Sequence, residues 1–214
     1  PSVVSANPAA GFSIVSYTGN GSTGTIGHGL SSAPSMLIIK NRSSSTNWVV
    51  GSNEIGWNYS LNLNDTSAAG LSTNRFNATS PTSTVFSVGA TSVSNGSGNS
   101  MIAYCFAEVA GFSKFGSYVG NGSTNGPTIT TNFEPAFVMV KCSSDSNTNW
   151  RILDNKRSPS NPRQNNLIAN LSDAENTGTN RMNFNANDFQ LTTSNGDFNG
   201  SGRTYIYMAF ANQF

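Results

Sequence analysis

Charge is what this chain has least of. Only 10% of its 214 residues are Asp, Glu, Lys or Arg, against about 25% in an ordinary globular domain. The formal charge is +1 and no basic stripe gathers along any segment. Nucleic-acid binding through phosphate neutralisation therefore has no electrostatic footing. Metal-ligating residues are also scarce: one histidine, His28, and two cysteines, Cys105 and Cys142. A zinc site draws on about four such ligands, so none is expected. A disulfide framework would recur with the internal repeat described below. The two cysteines do not, and Cys105 reads as a small buried hydrophobe. No stretch approaches the roughly 18 apolar residues of a membrane span, and no charged-then-apolar leader opens the chain. Membrane insertion is not expected. The opening Pro1-Ser2-Val3-Val4 reads as an internal point of a longer chain, or as the product of processing.

In place of charge stand Asn, Ser, Thr and Gly, which fill about half of all positions. Such a composition also describes disordered chains, but apolar runs recur here at regular spacing and aromatics make up 10%. The dominant feature is that the sequence is written twice. Gly11-Phe12-Ser13, Ser16-Tyr17 and Gly19-Asn20-Gly21-Ser22-Thr23 return as Gly111-Phe112-Ser113, Ser117-Tyr118 and Gly120-Asn121-Gly122-Ser123-Thr124. Pro34, Lys40 and Asn47-Trp48 answer to Pro135, Lys141 and Asn149-Trp150. Asn95-Gly96-Ser97-Gly98 answers to Asn199-Gly200-Ser201-Gly202. A period of roughly one hundred residues is too long for a solenoid unit and has the size of a small domain.

Strand signals fill each repeat. Met36-Leu37-Ile38-Ile39-Lys40 and Phe137-Val138-Met139-Val140-Lys141 are continuous apolar runs, suited to strands covered on both faces. Met101 to Ala107 alternates Ile102, Tyr104 and Phe106 with Met101, Ala103 and Cys105, and Tyr205 to Phe210 does the same. Seven or eight strands per repeat, separated by turn clusters, predict an all-β fold of two tandem β-sandwich (jelly-roll or lectin-like) repeats packed closely. The expected division is a lead-in over 1–10, one repeat over 11–110 and the other over 111–214. Only Asn170 to Asn176 leans toward a helical turn.

Motifs with chemistry are few. Gly19-Asn20-Gly21-Ser22-Thr23-Gly24 fits a dinucleotide fingerprint but lacks the following helix, so a hairpin loop is expected. Asp145 to Asn149 opens like a calcium loop, yet Trp150 and Lys156 stand where glycine and glutamate are needed. His28, between Gly27 and Gly29, is expected to make a structural hydrogen bond. Glycoside hydrolysis needs paired carboxylates, and among Asp154, Asp173, Glu175, Asp188 and Asp197 structural ion pairs are the simpler reading. Asp154 with Arg157 is the first expected. Trp48 and Trp150 occupy matched positions and are expected in the cores. Trp57, Asn58 and Tyr59 have no counterpart in the second repeat. An aromatic face beside amide donors suits glycan or subunit contact.

Around the junction the chain reads continuously from Ala103-Tyr104-Cys105-Phe106 through Gly111-Phe112-Ser113 to Gly120-Asn121-Gly122-Ser123. With Gly27-His28-Gly29-Leu30, Ile39-Lys40-Asn41-Arg42 and Asp154-Asn155-Lys156-Arg157, this resembles a repeat module of tail-fibre-like virion proteins of marine and aquatic bacteriophages. The resemblance implies a non-enzymatic structural module at a virion surface or appendage, assembling as a homo-oligomer or with other virion proteins and contacting the host surface. It carries over no catalytic residue, cofactor or metal. The first repeat has Gly51-Ser52-Asn53-Glu54 where the second has Asp154-Asn155-Lys156-Arg157, so that polar cluster is not demanded by both halves. The alternatives are a carbohydrate-binding, lectin-like module that recognises a host glycan, or a subunit of an extracellular filament. An enzyme comes last.

Overall fold

The computed structural model describes residues 2–212, which form an all-β sandwich fold. The chain separates into two compact units, one of residues 1–63 with 69–109 and the other of residues 64–68 with 110–214. In the first unit the strands are β1 (Ser2–Asn7), β2 (Phe12–Thr18), β3 (Gly24–Gly27), β4 (Met36–Asn41), β5 (Val49–Ser52), β6 (Tyr59–Asn62), β7 (Gly70–Leu71), β8 (Val85–Val88) and β9 (Ser100–Phe106). Seven of them build one antiparallel sheet in the order β1-β2-β9-β4-β5-β6-β7, while β3 and β8 pair separately. The lead-in expected over 1–10 is therefore largely strand: Ser2–Asn7 pairs with β2 along its whole length.

In the second unit β10 (Ser113–Val119), β11 (Thr128–Thr130), β12 (Phe137–Cys142), β13 (Arg151–Asp154), β14 (Asn166–Ile168), β15 (Met182–Phe184), β16 (Asp188–Leu191) and β17 (Thr204–Phe210) follow. They form a five-stranded sheet, β10-β17-β12-β13-β14, and a three-stranded one, β11-β16-β15. The run β2-β9-β4-β5-β6 of the first unit is connected in the same order as this five-stranded sheet. One-turn helices precede the last strand of each unit: α1 (Ser92–Asn95) and α2 (Gly196–Asn199). The helical turn expected at Asn170 to Asn176 is absent. Residues 169–170 make a plain turn there, because Asn170 spends its side chain on Trp150 N–H (2.9 Å) and Asn149 Oδ1 (2.8 Å).

The cores follow strand alternation. Met101, Ala103 and Cys105 point inward from β9, beside Val15 and Tyr17 of β2 and Leu37 and Ile39 of β4. Phe86 and Val88 of β8 close the other side of the first core. In the second unit Val138, Val140, Tyr205, Tyr207 and Ala209 are covered by Phe189 and Leu191 of β16. Cross-strand bulk is redistributed between the units. Val15 faces Ala103, whereas in the second unit Gly116 faces Tyr207. A Cβ at Gly116 would lie 2.7 Å from the Tyr207 hydroxyl oxygen, so the glycine makes room for the ring. The expectation for the matched tryptophans is corrected in one case. Trp150 is fully buried, but Trp48 is only half-buried and stacks on Tyr104 at 6.3 Å.

Candidate functional site

Two buried asparagines, Asn95 and Asn199, tie together the loops that flank α1 and α2. In the first unit the Gly19-Asn20-Gly21 loop is tied to Asn95, the last residue of α1. Asn20 N–H donates to Asn95 Oδ1 (3.0 Å) and Gly21 N–H to the Asn95 carbonyl (2.9 Å). Asn95 Nδ2 donates to Asn20 Oδ1 (2.8 Å) and to the Ser22 carbonyl. In the second unit Asn199 repeats these bonds with Asn121 N–H (2.8 Å), Gly122 N–H (2.9 Å), Asn121 Oδ1 (3.0 Å) and Ser123 O (2.8 Å). Tyr17 donates its hydroxyl to Ser94 O at 2.5 Å, and Tyr118 donates to Phe198 O at 2.7 Å. The glycine motif is thus a loop knotted by a buried amide, with the N–H groups of Gly19 to Ser22 committed. It crosses from β2 to β3 in a different sheet, which corrects the expected hairpin. Gly19 leaves no room for a side chain, since a Cβ would lie 2.1 Å from the Gly96 carbonyl oxygen.

Two lysines clamp the next loops. Lys40 donates to the Thr46 carbonyl. Lys141, fully buried, donates to Cys142 O (2.9 Å) and Thr148 Oγ1 (2.8 Å), and desolvation lowers its pKa. The segment resembling a calcium loop is therefore furnished with cations. Lys141 holds Thr148, and Arg203 pairs with Asp145 at 2.8 Å. Among the described residues no three His, Cys, Asp or Glu side chains gather as metal ligands. Asp197 is the hub of the second unit. Its Oδ2 accepts from Arg151 at 2.6 and 2.8 Å, and its Oδ1 accepts from Asn149 N–H at 2.9 Å. Arg151 and Arg181 both lie over the Phe198 ring.

His28 is fully buried. Leu30 N–H donates to its Nδ1 (3.1 Å), so Nε2 carries the proton and donates to Thr82 O (3.1 Å). Burial lowers its pKa, so the ring is held neutral as a loop strut. Both thiols are free and buried, and burial pushes Cys105 up to about 12, far from a reactive thiolate.

Asp154 Oδ2 pairs with Arg157 Nε at 2.8 Å, and Arg157 also reaches Glu175 at 3.4 Å. Asp154 Oδ1 caps its own turn through Lys156 and Arg157 N–H. These carboxylates are brought together around one guanidinium at the surface.

The aromatic triplet divides. Trp57 is 5% exposed, packs edge-on against Phe76 and donates Nε1–H to Asn53 Oδ1 at 2.8 Å. Its face is spent in the core, which corrects the expectation that it contacts a ligand or subunit. Asn58 and Tyr59 are exposed. Opposite Tyr59, in register, stands Leu71, 68% exposed. Tyr59 and Leu71 form an apolar pair at one edge of the seven-stranded sheet, and Val3 (76% exposed) and Val4 mark its other edge. Sequence reasoning missed Leu71 and Val3, whose only signals were a single leucine between Gly70 and Ser72 and a Val3-Val4 pair between serines.

Comparison with the curated proteins and with the solved structures finds no match to this chain. A family model described as "Domain of unknown function (DUF7483)" matches residues 1–213. The chain, with its amide-knotted loops and exposed sheet edges, belongs to that family.

Proposed function

We propose that this chain is a non-catalytic structural module of an extracellular assembly, a virion surface or tail-fibre-like appendage, that works by presenting and joining surfaces. The observation that carries the reading is how the side chains are used. Asn95 and Asn199 spend their amides on loop architecture, in the same way in both units. Lys141, Arg151 and Asp197 are committed to internal bonds. Four of the large exposed apolar side chains stand instead at the edges of the seven-stranded sheet, Val3 and Val4 at one and Tyr59 and Leu71 at the other, while Val119 and Leu171 are exposed in the second unit. Sheet edges are where β-proteins join one another, and a weakly charged surface leaves such joints uncontested. The resemblance of the junction and loop motifs to phage virion modules supplies the setting.

The test is mass spectrometry and electron microscopy of particles purified from the source culture. The chain is expected as a stoichiometric component with density contiguous to neighbouring subunits. Its absence from every particle and filament fraction overturns the reading.

A second reading, glycan recognition, is favoured by one observation: the exposed Tyr59 ring beside the exposed Asn58 amide. Aromatic platforms flanked by amides suit sugar faces. A glycan array probed with the labelled chain and with its Tyr59→Ala variant separates the two. Saturable binding lost in the variant establishes recognition, and a silent array leaves assembly.

A further inference from the structure

We infer that β1 is a self-complementary joint through which two copies of this chain pair antiparallel about a two-fold axis, continuing the seven-stranded sheet of one copy into that of the other. This deepens the assembly reading above and rests on it.

Every residue of Ser2–Asn7 is exposed. Among the described residues β1 pairs with β2 alone and forms the end of its sheet. In an antiparallel pair alternate residues direct their N–H and C=O away from the partner, so the outer side of β1 presents a row of backbone donors and acceptors to solvent. Natural edge strands are guarded by lysine, proline, a bulge or shortness. Here the six residues Ser-Val-Val-Ser-Ala-Asn carry no charge and no proline, and the register with β2 runs without a bulge. Val3 is exposed at 76%. This strand is left open.

Its chemistry selects the occupant. A charged peptide finds no complementary charge on it, whereas an uncharged strand paired with its own copy meets no like-charge repulsion. Length argues the same way. At the opposite end of the sheet β7 has two residues, too few for head-to-tail joining of sheets, while β1 against β1 overlaps over about five of its six residues in the face-matched registers described below. Such an isologous contact closes as a dimer rather than growing without limit.

The face each side chain occupies restricts the registers. The positions a Cβ on Gly29 would contact belong to Val4 and Ala6, so these two share the sandwich side of β1. Val3 and Ser5 share the other. A continued sheet keeps like faces together, which requires the two-fold to pass through a residue. A Val4 axis sets Val3 against Ser5 of the other copy. A Ser5 axis sets Val4 against Ala6.

The experiment is sedimentation equilibrium of the 22.5 kDa chain across micromolar to submillimolar concentrations, with Val3→Lys as the variant. We expect a reversible species of twice the chain mass, at least ten-fold weaker in Val3→Lys and partly restored by salt. Because Val3 is exposed, an unchanged circular dichroism melt separates this effect from misfolding. Oxidative trapping gives the second readout. Val4→Cys or Ser5→Cys links covalently to itself and Leu71→Cys does not, while the native thiols stay buried. A monomer at all concentrations overturns the joint, as does an open-ended polymer, or a dimer that is indifferent to Val3→Lys and trapped by neither cysteine. A monomer from a chain that is nevertheless found in purified particles sinks the β1 joint and leaves the assembly reading standing. A β1 dimer from a chain absent from all particles does the reverse.

Discussion

Asn199 and Asn121 grip each other in both directions: Asn199 Nδ2 donates to Asn121 Oδ1 at 3.0 Å, and Asn121 N–H donates to Asn199 Oδ1 at 2.8 Å. Asn199 is fully buried, and Nδ2 also reaches the Thr193 carbonyl at 2.9 Å. The amide thus fixes three backbone segments at one point. Asn95 does this work in the first unit with Asn20 and Ser22.

Asn199→Ala is expected to destabilise the protein by about 3 kcal/mol, since several bonds are lost and carbonyls are stranded. Asn199→Asp should be worse near neutral pH, because a carboxylate would face the Asn121, Ser123 and Thr193 oxygens that now accept from Nδ2. Urea unfolding of both variants at pH 7 checks the order, and equal midpoints would contradict it.

His28 makes stability depend on pH. Its pKa is lowered in the folded state by burial, so the unfolded chain, with its histidine near 6.5, binds the proton more readily. The stabilisation is complete above about pH 6.5 and falls as pH drops from there toward the lowered folded value, by at most about 1.4 kcal/mol per unit. Unfolding free energies at pH 7.5 and pH 5.5 should differ in the wild type. The difference should shrink in His28→Gln, which has no group titrating in that window.

Two ion pairs of the second unit, Arg151 with Asp197 and Arg157 with Asp154, should differ sharply in energy. Arg151 and Asp197 have side chains only 10% and 12% exposed, so Asp197→Ala strands a buried guanidinium and is expected to cost about 3–5 kcal/mol. Arg157, 39% exposed, loses at most about 1 kcal/mol on replacement by alanine. Chemical denaturation of the two single variants is the comparison. Similar losses would mean that burial does not govern these pairs.

The divided aromatic triplet gives a contrast between neighbours. Trp57→Ala should cost about 3–5 kcal/mol through the cavity left beside Phe76, while Tyr59→Ala stays within about 1 kcal/mol. Acrylamide should quench Trp57 fluorescence poorly in a Trp48→Phe, Trp150→Phe background. Efficient quenching would place the indole at the surface instead.

How far the chain could be read in advance depended on the kind of contact. Alternation in Met101 to Phe106 separated Met101, Ala103 and Cys105 from Ile102, Tyr104 and Phe106, because side-chain direction along a strand is a local property. Packing decided that the first set faces the core. The doubled Gly-Asn-Gly and Asn-Gly-Ser-Gly blocks marked both halves of each amide knot. Their joining could not be read, because Asn20 and Asn95 meet across 75 residues. The burial of Trp57 could not be read for the same reason: the lack of a counterpart in the second repeat set it apart with Asn58 and Tyr59, and its deciding contact, Phe76, lies beyond β6 and β7. Likewise Leu71 became part of a surface pair only when β6 and β7 set it opposite Tyr59.

Composition and periodicity alone determined that this would be a β-protein, poor in charge and built from loops of amides and hydroxyls, because those properties follow from residue type and from spacing along the backbone. Tertiary structure alone decided which amide is buried, which tryptophan is core and which strand stands at an edge. Strand order is set by pairings between distant segments, and solvent access belongs to the assembled sheet rather than to any stretch of residues.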